Sequence, residues 1–120
     1  MSDTQKIIED YVVAWNSSDS IERATIMERI LADDCQYFDS HMPEPIVGNE
    51  SHSSFIDRFK GKFPDLKLNL TANVDSHHDY FRFKWQMVKG DGNVFIQGAF
   101  FGDIKESQIT KLVGFVDSNS

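Results

Sequence analysis

A chain of 120 residues, 40% hydrophobic and 26% charged, has the size and make-up of one ordinary domain, expected to span residues 1–120. Its net charge of −7 argues against a nucleic-acid partner, which needs clustered Lys and Arg to neutralise phosphates. Cys35 has no second cysteine to pair with, no stretch approaches the roughly 18 apolar residues of a membrane span, and the N-terminus lacks a basic-then-apolar leader, so the expectation is a cytoplasmic protein with no membrane partner.

Ile7, Ile8, Tyr11, Val12 and Trp15 recur at helical spacing and predict a first helix from about Thr4 to Asn16. Asp19 followed by Glu22 resembles a capping box that opens a second helix, with Ala24, Met27, Ile30 and Leu31 as its apolar stripe and Ala32-Asp33-Asp34 as its stop. Cys35 to Asp39 reads as a short extended piece, and His41 to Gly48, with Pro43 and Pro45, as a loop. Asn49 can cap a third helix that buries Phe55, Ile56 and Phe59, with His52 one turn earlier and Gly61 and Pro64 at its end.

The second half alternates at strand spacing. Leu66, Leu68 and Leu70 share one face. Asp75-Ser76-His77 reads as a turn. From Tyr80 to Val88, Phe81, Phe83, Trp85 and Met87 face one way while Arg82, Lys84 and Gln86 face the other. Gly90-Asp91-Gly92-Asn93 is a hairpin turn between this strand and Val94–Ile104, and a last strand runs from Gln108 to Val116. Helices first and hairpin-linked strands afterwards predict an α+β fold: a cone-shaped half-barrel in which three helices pack on a curved, mostly antiparallel sheet. The long strands are apolar on both faces, so a second copy is the expected cover for the face without helices, giving a homodimer. Ten phenylalanines point to a lined cavity or apolar interface besides the core.

Several segments resemble, in order and spacing, the nuclear transport factor 2-like (cystatin-like) superfamily over nearly the whole chain. They are Tyr11-Val12-Val13-Ala14-Trp15-Asn16 with Asp19 and Arg23, Ala32 to Asp39, Gly48 before the third helix, His77-His78-Asp79 ahead of Arg82-Phe83-Lys84-Trp85, Gly98-Ala99-Phe100-Phe101, and Leu112-Val113-Gly114-Phe115. Within that superfamily the chain looks like the SnoaL-like polyketide cyclase branch and, more distantly, ketosteroid isomerase. The resemblance implies a proton-moving carboxylate at Asp39 and a phenolic hydrogen-bond donor at Tyr11, facing each other across one apolar hollow. It also implies a carboxylic acid two residues after Gly98, where this chain has Phe100. No side chain there can shuttle a proton.

A carboxylate in apolar surroundings can serve as base while a donor stabilises the enolate oxygen. The expected activity, if the chain is an enzyme, is therefore isomerase or cyclase chemistry by general acid–base catalysis. Tyr11 also reads as a core tyrosine and Asp39 as a turn residue before Pro43. The ligand-lining candidates are Trp15, Phe55, Phe59, Phe83, Trp85 and Phe100, with His52 and His78 as acid–base partners for Asp39. His77 and His78 are adjacent, so in a strand they should point to opposite faces and not share a metal. No metal or cofactor is expected. The partner implied is a small hydrophobic, carbonyl-bearing molecule. The alternatives are a non-catalytic module that holds a ligand or a protein, and a structural dimer with no ligand.

Overall fold

A computed structural model describes residues 3–117. Helix α1 (Asp3–Asn16) buries Ile7, Ile8, Tyr11, Ala14 and Trp15 along one face. Asp19 caps helix α2 (Ser20–Ile30), accepting from the backbone N–H groups of Ile21 and Glu22. The Glu22 carboxylate does not reach back to Asp19. It accepts from the Ser17 hydroxyl at 2.6 Å, and Ser17 Oγ takes the Asp19 N–H.

The buried row of α2 is Arg23, Met27 and Ile30, and Ala24 is exposed. Met27, Ile30 and Leu31 are buried as expected, but a paired cation, Arg23, takes the inward position expected of Ala24. Arg23 donates to the Ala14 carbonyl at 2.9 Å and also binds the Ser17 carbonyl and the Asp57 carboxylate. A buried guanidinium persists only when so matched. It ties the end of α1 to α2 and to helix α3 (Asn49–Lys62).

Ala32-Asp33-Asp34 does not form a stop between elements. The chain passes from Ile30 directly into strand β1 (Leu31–Phe38). Leu31, Cys35 and Tyr37 are buried while Asp33 and Asp34 face solvent, and a register shift between Leu31 and Gln36 breaks strict alternation. The supposed loop holds a two-residue strand, β2 (Ile46–Val47), paired antiparallel with Gln36 and Tyr37. Gly48, at φ 99°, is the N-cap of α3, a backbone geometry that an L side chain rarely adopts. Asn49 instead donates its amide to the Leu31 carbonyl at 3.4 Å.

Five more strands follow: β3 (Lys67–Leu70), β4 (Asp75–His77), β5 (Tyr80–Val88), β6 (Val94–Lys105) and β7 (Gln108–Val116). Asp75-Ser76-His77 is therefore a strand and not a turn. The turn lies at His78-Asp79, where His78 takes φ 55°. The curved sheet has the order β2-β1-β7-β6-β5-β3, with β4 sharing the β5 edge with β3. Only β1 and β7 run parallel; the other pairs are antiparallel.

The inner face of the sheet carries Phe81, Phe83, Trp85, Met87, Phe100, Ile109 and Leu112, covered by Ile8, Tyr11, Met27 and Ile56 from the helices. Three cross-strand pairs set a ring over a glycine: Trp85 on Gly98, Phe81 on Gly102 and Phe100 on Gly114. A Cβ at those glycines would lie 2.9, 2.5 and 2.6 Å from ring atoms, so the rings can fold flat only because no Cβ is there. Asn16 clamps α1 to β3, donating to the Leu68 carbonyl at 2.8 Å and accepting from its N–H at 2.7 Å.

Candidate functional site

Between α1, α3 and the sheet lies a hollow of about 410 Å³, within the range of small-molecule sites. Trp15 comes from α1, Phe55 and Phe59 from α3, Trp85 from β5 and Phe100 from β6. These five are among the ligand-lining candidates. Phe83 is buried behind the wall, 5.2 Å from the Phe100 ring centroid. His78 is exposed at the other end of β5, away from Trp85 and Met87, which line the hollow. The pattern of alternating apolar residues had no way to say which end of β5 is open.

Asp39 stands in the wall just after β1, packed close to Gly114. Tyr37 donates its hydroxyl to Asp39 Oδ2 at 2.8 Å, and the His41 backbone N–H donates to Oδ1 at 2.7 Å. The His41 ring reaches 3.9 Å from the same carboxylate. Tyr37 was not a sequence candidate. The signal for it was the i, i+2 spacing from Asp39, which puts both side chains on one side of an extended segment.

Tyr11 does not face Asp39 across the hollow. It is fully buried behind the lining, and its hydroxyl is hydrogen-bonded to His52 Nε2 at 2.9 Å. His52 is buried there too, between Tyr11 and Tyr37, with ring centroids 5.6 and 4.7 Å away. The helix periodicity placed both residues on buried faces correctly but could not separate core from cavity wall.

Burial governs the electrostatics. Desolvation pushes the Tyr37 phenol well above its usual range, and the nearby Asp39 carboxylate and the bond to it add to that, so it stays a donor. Desolvation raises Tyr11 in the same way. It lowers His52 to about 3, which keeps the ring neutral. Cys35 is pushed up to about 12, chiefly by burial, and is an unreactive thiol. Two buried donors or acceptors have no partner among the described residues: His52 Nδ1 and the Trp85 indole N–H. Among the described residues, no three His, Cys, Asp or Glu side chains converge and no helix is long and apolar enough to cross a membrane.

No protein-family model and no curated protein matches the chain. Solved structures do. A protein from Agrobacterium tumefaciens described as a candidate isomerase of the SnoaL-like family is 27% identical, with TM-score 0.90, covering 98% of this chain and all of that one. A candidate SnoaL-like polyketide cyclase from Jannaschia sp. is 13% identical, with TM-score 0.77 and coverage of 96% and 85%. A candidate ketosteroid isomerase from Kribbella flavida is 19% identical, with TM-score 0.73 and coverage of 98% and 80%. The chain thus has the cystatin-like, nuclear transport factor 2-like fold, and its structural relatives are SnoaL-like and ketosteroid isomerase-like proteins.

Proposed function

We propose that the chain binds a small hydrophobic molecule bearing a carbonyl group in the aromatic hollow. The Tyr37–Asp39 pair, with His41 beside it in a wall that is mostly apolar, carries this reading. Rings from both helices and sheet supply area for an apolar body, and the Tyr37 phenol, whose single O–H is held by Asp39, supplies a donor for one ligand oxygen when it turns from that carboxylate. Trp85, whose ring belongs to the same wall, has an N–H that still lacks an acceptor.

Proton transfer is the second reading, favoured by a carboxylate and a phenol side by side. Asp39 would be the base and Tyr37, in place of the more deeply buried Tyr11, the donor to the developing oxyanion. Both Asp39 oxygens already accept hydrogen bonds, so catalysis requires one of them to be given up. Phe100 supplies no second acid or donor, and loss of one such donor typically costs about 3 kcal/mol of transition-state stabilisation. Binding is therefore the better supported function.

Trp15 and Trp85 report on occupancy. Titration with 2-acetylnaphthalene should change tryptophan fluorescence saturably. Tyr37→Phe should weaken that binding about tenfold, the worth of one hydrogen bond to a buried donor, and leave 2-ethylnaphthalene unchanged. Equal effects on both ligands would remove the carbonyl from the proposal, and no saturation with either would remove the binding site.

A second copy of the chain is proposed to cover the outer face of the sheet. Three cross-strand rows lie there: Lys84–Ala99–Phe115, Arg82–Phe101–Val113 and Tyr80–Asp103–Lys111. Phe101 and Phe115 meet edge to face at 5.6 Å yet remain 42% and 53% exposed. Charges of both signs rim this apolar centre, which suits a two-fold, self-complementary contact. Sedimentation equilibrium should show a dimer at micromolar concentration that Phe101→Glu converts to a monomer. A monomeric parent protein would end this proposal.

A further inference from the structure

The turn between β4 and β5 brings two imidazoles together. Flanking residues in a regular strand point to opposite faces, but His78 takes the left-handed conformation, φ 55°. That conformation is uncommon for a residue with a side chain. Its result is that His77 Nδ1 and His78 Nδ1 lie 2.9 Å apart, with ring centroids 5.1 Å apart and planes nearly perpendicular. The expectation that these two rings point to opposite faces is thereby overturned.

We propose that His77 and His78 form a surface site for a tetragonal divalent metal ion of the copper(II) class, with both Nδ1 atoms as adjacent ligands. Metal–imidazole bonds are about 2.0–2.1 Å long, so two nitrogens at a right angle on one ion stand about 2.9 Å apart. A tetrahedral ion would want them at about 3.4 Å. The observed spacing matches the right angle. Imidazole is a ligand suited to copper and nickel, and copper(II) stands highest in the affinity order for such donors.

The same 2.9 Å is the length of an Nδ1–H···Nδ1 hydrogen bond, so one shared proton holds the pair ready and the ion displaces it. Both residues are exposed, so the ion has free access, and solvent water completes its coordination. The chain's net charge of −7 favours cation approach. Two protein ligands make a site of moderate affinity. Unlike the aromatic hollow, it lies at the far end of β5 and owes nothing to Asp39 or Tyr37.

Copper(II) chloride titrated into the full chain in a non-coordinating buffer should bind one equivalent saturably by calorimetry. Electron paramagnetic resonance should show a tetragonal signal with coupling to two nitrogens. His77→Gln and His78→Gln should each weaken binding at least tenfold, whereas His41→Gln, which removes another exposed imidazole, should leave it unchanged. Nuclear magnetic resonance of the parent chain should show copper-induced broadening of the His77 and His78 ring protons first, a readout that needs no variant. Saturable binding that survives in the His77→Gln/His78→Gln double variant, or broadening centred elsewhere, would overturn the proposal, as would the absence of saturable binding.

Discussion

Lowering the pH from 7 to 4 is expected to remove roughly 3 kcal/mol of folding stability through His52 alone. The folded state holds this imidazole at about 3 against an ordinary value of 6.5, because burial disfavours its charged form. Below pH 6.5 the unfolded chain takes up a proton that the folded chain refuses, so unfolding gains. The His52 contribution is complete above pH 6.5, falls by about 1 kcal/mol for each pH unit below it, and levels off once the folded ring protonates near 3. Its neighbours Tyr11 and Tyr37 are both raised and stay neutral throughout this window. Asp10 acts lower on the scale: burial pushes it up, but Lys6 and Arg29, at 3.0 and 3.1 Å, outweigh that and hold it below the usual carboxylate range. Its stabilisation is therefore lost only as pH falls through that lowered value. Urea denaturation at pH 7, 6, 5 and 4 reads the slope directly. The paired variant Tyr11→Phe/His52→Leu removes both partners together, leaves no orphaned hydroxyl, and should show a much flatter pH profile. Parallel profiles for parent and variant would mean that His52 titrates normally in the fold.

Phe100→Ala should cost about 3–5 kcal/mol of stability, a large share of what a domain of this size possesses. The ring is 5% exposed and meets Tyr11, Tyr37, Phe83 and Trp85 at centroid distances between 5.2 and 6.4 Å. It also lies across Gly114, where no side chain can move in to fill the space. Truncation therefore leaves a cavity continuous with the hollow and does not let the core close up. The variant should bind bulkier aromatic ketones than the parent while unfolding at lower urea concentration. Phe100→Asp should be no better tolerated, since it loses the same ring contacts and puts a charge into a buried layer made mostly of apolar rings. A loss below about 1 kcal/mol in the alanine variant would show that the ring contributes little to packing, contrary to these contacts.

The fold was legible in the sequence because its main segments obey simple periods. Phe81, Phe83, Trp85 and Met87 all point inward as their alternation required, and the α1 stripe is buried as its spacing required. What escaped was decided by tertiary contacts. Arg23 belongs to the buried row of α2 only because Ala14, Ser17 and Asp57 converge on it. Strand β1 begins as early as Leu31 because Ile109 of β7 pairs with it, and the residues that individually suit a helix end are carried into the strand across a register shift. Within the candidate site, the aromatic composition and the resemblance of Asp39 to a family carboxylate named residues that the structure brings to one hollow. The identity of the phenol beside it did not follow, because Tyr11 and Tyr37 differ only in which side of a packed layer their hydroxyls reach. The meeting of His77 and His78 depends on one positive φ, which no periodicity encodes.

The parallel pairing of β1 with β7 fixes the order in which the molecule can be completed. Tyr37 lies against Leu112 and Phe38 against Val113, so the strand leading to Asp39 gains its main partner only from the C-terminal end of the chain. During synthesis the helices and the β5–β6 hairpin can assemble while β1 still has an open edge. Closing so long a loop is entropically slow. The aromatic hollow is thus a late product of translation: a nascent chain halted before Leu112 lacks the strand that holds Tyr37 and Asp39 in place, and would emerge from the ribosome with that hollow unmade.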